Sequence, residues 1–566
     1  MRYLNWKVPE RGPVIPRSLD KAGCSPLLAA ALHLRGLDDA DAARAFLRGG
    51  TDLFTDPCGL VDMTFALQRL SRAVAAKEHV AVYGDYDVDG ITSACLLSDY
   101  LESRGLECEV YIPDRITEGY GVNTGAIDRL HEKGVTLIIT VDCGVTSVEE
   151  TEYASELGVD MIITDHHECR DMLPDAVAVV DPKRPDNGGL GEDLAGVGVA
   201  FKLVCAMDGD SQKMLERYGD LVAVGTVADV MPLRGENRAV TRYGLQKLSR
   251  NECRPGFQAL MQVTGAAGKP LTASTVSYSM APLINAAGRL GVAGLAVELL
   301  RTGSLSRAEA IAAELRVQNE RRKNLGEEIW SQAVAMLGDG PLETPIVLAA
   351  SNWHPGVIGI VASRLTDSYG VPAVMICLDG ETGKGSCRSV GGFNLYEAMN
   401  ACTGCLEGFG GHAMAVGITV LADRVDELRR ELGEYYLAHP PQAETALEAE
   451  IRVDRPELLE EKSVGDLDYL EPCGNGNPKP LLYIDGARLS ALTPIGKDRQ
   501  HLRLGLDAFG QTYDCVFFKM TSEELGVRPG DRVDAVFAPQ INEYRSRRSV
   551  QLVITDLRLH REETNV

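Results

Sequence analysis

Val80-Ala81-Val82-Tyr83-Gly84-Asp85-Tyr86-Asp87-Val88-Asp89-Gly90 is the stretch on which the reading of this chain turns. A β-branched apolar run ends abruptly in three acids at every second position. In an extended segment alternate side chains share a face, so Asp85, Asp87 and Asp89 converge if the strand geometry persists. Carboxylates that close repel one another and stay partly protonated unless a cation sits among them, and hard divalent ions seek oxygen ligands. An isolated D-x-D-x-D is more often a polar loop after a strand. The rest of the chain decides between the two.

Downstream, the pattern predicts a helix over 91–104 stopped by Gly105, a strand over 109–113 and a helix near 125–133. A strand over 135–142, a helix over 148–157 and strands over 159–165 and 176–180 follow. Strand and helix alternate at βαβ spacing, with the continuous apolar runs of a parallel sheet covered on both faces. Polar clusters end three of these strands: Asp85/Asp87/Asp89, Asp142, and Asp165-His166-His167. In open α/β sheets ligands bind beyond the carboxyl ends of the strands. Each cluster alone could be a cap or a turn, but three at one end of one sheet make a metal site the better reading. Asp229 is a fourth candidate, inside an apolar, helix-compatible run over 221–230 where an acid must be paired or ligating.

At 566 residues the chain is too long for one core, and three or four domains are expected. The N-terminal MRYLNWKVPERG has no signal-peptide core and no apolar run approaches a membrane span, so a cytoplasmic enzyme with no membrane partner is expected. Fourteen cysteines, mostly in apolar segments, suit reduced thiols, and the lone Cys402-Thr403-Gly404-Cys405 has no second pair at zinc-site spacing. A formal net charge of −24 argues mildly against a nucleic-acid partner, but the sign is uneven. Arginines and lysines from Arg234 to Lys323 outnumber the acids there, and a local basic track can bind phosphates despite the total.

Short amphipathic helices fill roughly 25–75. Ser306-Arg307-Ala308-Glu309 has the form of a capping box opening a long helix to about residue 336, with Gly326 a weak point. Strands resume at 345–350 and 373–378, giving a second α/β domain to about residue 440, followed by an acidic linker. The last hundred residues read as short strands (481–484, 502–506, 513–518, 532–537 and 550–559) of a small barrel. Lys497, Arg499, His501 and Arg503 alternate as if on one strand, and Tyr544, Arg545, Arg547 and Arg548 lie near another. Such a face fits single-strand binding.

Together these residues resemble a known family. Gly84–Gly90, Val141-Asp142-Cys143-Gly144, Asp165-His166-His167 and Val227-Ala228-Asp229 look like the four motifs of the DHH phosphoesterases. Within that superfamily the match is to the RecJ family of bacterial single-strand-specific 5′→3′ DNA exonucleases. Ile284-Asn285-Ala286-Ala287-Gly288-Arg289, Trp353–Gly359 and Gly410-Gly411-His412-Ala413 resemble its later motifs, the last marking a DHHA1 domain. The stretch 470–478 resembles the entry to its oligonucleotide-binding (OB) barrel.

The resemblance implies an α/β protein: an N-terminal helical segment (1–50), a parallel-sheet DHH domain (51–305), a connecting helix (306–340), a smaller DHHA1 domain (341–440) and an OB-type barrel with its acidic linker (441–566). It implies two metal ions, Mn²⁺ or Mg²⁺. Asp87 would bind the first and Asp89 the second, with Asp142 bridging, His166 and Asp229 completing the second site and Asp85 beside the first. His167 would face the scissile phosphate and Asp165 would orient a histidine from behind. Arg115, Asn285, Arg289, Ser386, Arg388, Gly411 and His412 would hold single-stranded DNA, with Gly410–His412 able to form a backbone anion nest. Action as a monomer beside a RecQ-type helicase and a single-strand-binding protein is implied only by the family. Rival readings are a small-substrate phosphodiesterase of the same superfamily, which would have no use for the barrel, and a DNA-binding scaffold, which would have lost ligands.

Overall fold

The computed structural model describes residue 3 and residues 5–338, 342–441, 446–497, 499–544 and 547–561. The chain divides into two compact units: 53–232 with 236–443, and 1–52 with 233–235 and 444–566.

The larger unit begins with five parallel strands, β1 (His79–Tyr83), β2 (Glu107–Tyr111), β3 (Leu137–Val141), β4 (Asp160–Thr164) and β5 (Ala178–Val180). They lie in the order β2-β1-β3-β4-β5. β3 is buried at all five positions and β1 at its last four, which is why both read as unbroken apolar runs. The order reverses between β1 and β3, so a crevice opens beyond their carboxyl ends. Helix α1 (Val88–Ser103) follows β1, and α2 (Gly196–Asp208) and α3 (Ser211–Ala228) pack against it. Further on come α4 (Ala281–Arg289) and the 33-residue α5 (Leu305–Leu337).

The start of α5 departs from expectation. Ser304, not Ser306, is its N-cap, accepting from Arg307 N at 3.3 Å, and Gly326 lies within an unbroken helix. Ser306 offers the same hydroxyl chemistry two residues late, and only one serine can stand at the boundary. The second α/β layer holds β6 (Ile346–Ala350), α6 (Pro355–Tyr369), β7 (Ala373–Asp379), β8 (Thr382–Arg388), β9 (Leu406–His412) and β10 (Ala415–Leu421). Its sheet runs β9-β10-β8-β7-β6, with β6 and β7 parallel and the other pairs antiparallel. Glycines hide β8 and β9 from a propensity reading, because glycine is a poor strand former. Cys402 and Cys405 are buried in this core, Cys405 Sγ donating to Cys402 O, and burial pushes both thiols above their ordinary range.

The smaller unit is a barrel of β11 (Leu482–Ile495), β12 (His501–Ala508), β13 (Gln511–Phe517), β14 (Arg532–Tyr544) and β15 (Arg547–Leu559), closed by pairing of β11 with β14. Residues 1–52 belong to it and are not helical throughout. The strand Asn5–Lys7 pairs in parallel with Ala446–Glu448, and helix Pro26–His33 buries six residues in the barrel's core. Lys497 and Arg499 precede β12 instead of alternating along it, with Arg499 in the left-handed region, and Arg503 is tied to Asp514 at 2.6 Å. Arg545 lies outside the described residues. Among the described residues no helix is long and apolar enough to cross a membrane.

Asp556, fully buried on β15, accepts from Tyr3 N at 3.2 Å and Trp6 Nε1 at 3.1 Å. Asp556→Ala strands both donors and is expected to destabilise this unit by about 1–3 kcal/mol, read as an earlier urea transition of Trp6 fluorescence.

Candidate metal centre

The three acids do not converge by strand alternation. β1 ends at Tyr83, and the chain turns so that Asp87 becomes the N-cap of α1, its Oδ1 accepting from Asp89 N at 2.8 Å and Gly90 N at 3.1 Å. Asp89 lies in the first helical turn, where it joins the helix dipole's positive end. A second helix start meets it: Gly196 N and Val197 N of α2 donate to Asp89 Oδ2 at 2.7 Å and Oδ1 at 2.8 Å. A Cβ on Gly196 would lie 2.6 Å from that of Asp142, so only glycine admits both carboxylates. Asp142 itself, just past β3, is held at φ 61°, a conformation that aspartate tolerates better than most residues. Asp229 is the C-cap of α3, at the helix end and not inside it as its apolar surroundings suggested.

Candidate ligand atoms converge in three overlapping groups, each within 4.8 Å: Asp85, Asp87 and Asp142; Asp89, His166 and Asp229; Asp142, His166 and His167. His166 is buried, and both its ring nitrogens are without hydrogen bonds. Its Nε2 nevertheless stands 3.1 Å from Asp142 Oδ1, 3.6 Å from Asp229 Oδ2 and 3.9 Å from Asp89 Oδ2. Asp85 Oδ1 is likewise buried and unpartnered. Polar atoms so placed are rare in folded proteins, and this set fits divalent cations with mixed carboxylate and imidazole ligation.

The electrostatics agree. Burial, reinforced by the neighbouring carboxylates, raises Asp85, Asp89 and Asp142 well above the carboxylate range, and burial with Asp87 lifts Asp229 to about 7. Burial and the charge on His167 lower His166 to about 3, leaving a neutral ring able to ligate. Burial opposes charging His167 too, but Asp165 Oδ1, 2.7 Å from its Nδ1, prevails and lifts it to about 9. Asp165 also accepts from Val145 N, His166 N and His167 N, so it fixes the loop as well as the ring.

The substrate residues expected from the sequence lie near one another: Arg115 and Arg388 both act on Arg289, and Arg388 and His167 both act on His412. Arg115 lies over the Tyr86 ring at 4.7 Å, Arg289 Nη1 donates to Gly356 O at 3.1 Å, and Arg388 Nη1 donates to Ser386 Oγ at 3.1 Å. Asn285 is on α4, one turn before Arg289. Gly410–His412 form no nest: they are the end of β9, extended and paired with β10, and His412 Nδ1 accepts from Met414 N. His354, within the Trp353–Gly359 motif, caps α6, its side chain accepting from Gly356 N. The basic track between Arg234 and Lys323 is broken up, since Arg254, Arg301 and Arg307 make ion pairs with Asp220, Glu102 and Glu298.

Two neighbours carried no spacing signal. Tyr120, between two left-handed glycines, places its hydroxyl 3.3 Å from His167 Nδ1. Asp181, buried just past β5, has an unpartnered Oδ2 and is lifted to about 7 by burial and Asp165. Its place at a fourth strand end was the available clue.

Family models match three stretches: the DHH family N-terminal domain over 79–226, the DHHA1 domain over 343–437 and the RecJ OB domain over 453–556. The single-stranded-DNA-specific exonuclease RecJ of Bacillus subtilis (strain 168) is 38% identical over 565 residues, 98% of this chain and 70% of that protein. The chain belongs to the RecJ family. RecJ of Escherichia coli (strain K12) is 32% identical over 526 residues, 87% of this chain and 89% of its own. The crystal structure of Thermus thermophilus RecJ in complex with Mn²⁺ superposes with a TM-score of 0.85 at 29% identity, covering 99% of this chain and 81% of that one. A Mg²⁺ complex of the same RecJ gives a TM-score of 0.78.

Because Asp229 binds its proton more tightly folded than unfolded in the ion-free protein, its effect is fully present below about pH 4 and is lost as pH rises through about 7. Asp229→Asn is therefore expected to raise the Tm of metal-stripped protein at pH 8, with the gain shrinking to nothing as pH falls towards 4. Added Mn²⁺ should reverse the ranking at pH 8. Thermal melts with and without chelator at four pH values check this.

Proposed function

We infer that this protein is a metal-dependent, single-stranded-DNA-specific exonuclease that hydrolyses phosphodiester bonds from the 5′ end and releases nucleoside 5′-monophosphates, in DNA recombination and repair. The observation that carries the reading is the neutral, unpartnered His166 facing three carboxylates at the mouth of a RecJ-family sheet.

Asp85, Asp87 and Asp142 would hold one ion and Asp89, His166 and Asp229 the other, with Asp142 shared. When bound, Mn²⁺ or Mg²⁺ ions lower the pKa of water and clamp the attacking and leaving oxygens of an in-line displacement. The chain's own groups do the rest. His167, held charged by its pairing with Asp165, would face the scissile phosphate and offset charge developing there. The starts of α1 and α2 keep two carboxylates fixed while substrate comes and goes, Asp89 N donating to Asp87 Oδ1 and Gly196 N to Asp89 Oδ2. Arg115, Arg289, Ser386 and Arg388 hold the strand's phosphates, guanidinium forks being suited to that geometry. The barrel binds single strand as well, which a small-substrate phosphodiesterase would not need.

A nuclease of single strands needs duplex opened for it, so a RecQ-type helicase and a single-strand-binding protein are proposed partners of a cytoplasmic monomer.

The test is a DNA strand labelled at its 3′ end, incubated with Mn²⁺ alone or within a blunt duplex. Early loss from the 5′ end of the single strand, a spared duplex, and a drop in Asp142→Ala exceeding the roughly 100-fold ceiling of outer-shell changes are expected. Cleavage of dinucleotides only, or tight binding without cleavage, overturns the reading.

A further inference from the structure

Helix α5 carries a buried stripe at helical spacing: Ala308, Ile311, Ala312, Leu315, Asn319, then Ile329 and Ala333. The next place on that face after Asn319 is Arg322, three residues on. A stripe that is aliphatic at both ends therefore turns polar in the middle. Asn319 is 4% exposed and its Oδ1 has no hydrogen-bond partner, and Arg322 Nε is buried and equally unpartnered. Leaving such groups unsatisfied is costly, and packing alone would favour another leucine.

The neighbouring elements show what the polar patch faces. α5 packs against α4, which ends at Arg289, and against α6. A Cβ on Gly359 of α6 would come within 2.7 Å of Ser386 Oγ and 3.1 Å of Arg388 Nη2, so that glycine leaves room for the phosphate-binding pair. The charged groups gathered here have neutral partners: Gly356 O for Arg289, Ser386 Oγ and Cys387 O for Arg388, and the Tyr86 ring for Arg115. Burial and the charges of Arg115, Arg322 and Arg388 pull the Arg289 guanidinium down to about 10. Glu320 acts on Arg322 and Asp85 on Arg115 only through space, and among the described residues none of these four guanidiniums is hydrogen-bonded or ion-paired to a carboxylate, so the group suits an anion.

We propose that Arg322 and Asn319 of the connecting helix are strand-positioning residues, completing with Arg289 and Arg388 a polar seat for a phosphate of the single strand. α5 is then part of the binding surface and not only a strut between the two α/β layers. The assignment rests on the exonuclease reading for its substrate, but its central measurement does not need cleavage.

Binding of a 3′-fluorescein-labelled 20-nucleotide single strand to the full chain, followed by anisotropy without metal across a range of NaCl, reads the contact directly. Arg322→Ala is expected to weaken binding about 10- to 100-fold, as for a lost charge-assisted hydrogen bond. It should also reduce the slope of log K against log[NaCl] by about one. Arg322→Lys should keep the slope while recovering only part of the affinity, since it restores the charge and not the fork. Asn319→Leu extends the aliphatic stripe, so its melting temperature should hold or rise while its KM in Mn²⁺ rises and kcat does not. The same penalties on 5′-phosphate and 5′-hydroxyl strands assign a backbone phosphate, and a penalty confined to the phosphorylated strand assigns the terminal one. Wild-type affinity and salt slope in Arg322→Ala, with only a lowered Tm, overturn the proposal. A wild-type protein that binds with these slopes but cuts nothing overturns the exonuclease reading and leaves this one standing.

Discussion

Five carboxylates held around one neutral histidine are the constraint on which the larger unit is built. Asp85, Asp89 and Asp142 are almost entirely buried, and mutual repulsion alone would drive them apart or protonate them. The fold opposes that with fixed dipoles instead of counter-charges. Two helix starts, those of α1 and α2, aim backbone N–H groups at Asp87 and Asp89. Gly196 keeps the second helix within reach. An arginine placed there would neutralise the cluster and occupy the cations' place, whereas N–H dipoles steady the carboxylates and leave their charge available.

That choice explains why the positive groups stand apart. The charged His167 is grouped with Asp142 and His166, but its Nδ1 is paired with Asp165 and not with a metal-site carboxylate. The guanidiniums gather elsewhere, around Arg289, where the C-terminal end of α4 meets α6. On the exonuclease reading a strand phosphate would meet cations held by the carboxylates on one side and guanidiniums on the other. The repulsion stored in each region is what makes metal and polyanion binding favourable.

Much of this was legible in the sequence because burial wrote it there. Acids directly after apolar runs announced strand ends, and three of the residues now grouped for metal, Asp85, Asp142 and His166, could be placed at element ends without any geometry, whereas Asp229 read as lying inside its helix and caps it instead. What could not be read was how Asp87 and Asp89 converge, since helix capping and strand alternation use the same short stretch and differ only in backbone angles. Ser304 and Ser306 are a smaller instance, two hydroxyls of equal chemistry of which context selects one. The glycine-rich β8 and β9 were invisible because their stability comes from neighbours in the sheet and not from their own residues.

Arg322 was missed for a different reason. In a run of Arg321-Arg322-Lys323 every residue looks like solvated charge, and only the phase of the helix separates them: 322 falls on the buried stripe, while 321 and 323 are exposed. Phase is fixed by the apolar residues a turn or two away, Leu315 and Ile329, so the information was in the chain but not in the motif. The same holds for the N-terminal segment, whose Pro26–His33 helix reads as an ordinary amphipathic element until its apolar residues are seen to fill the core of a barrel made some 450 residues later. Local pattern specifies that a face will be buried. What buries it is settled by which other faces lack partners, and that is a property of the whole chain.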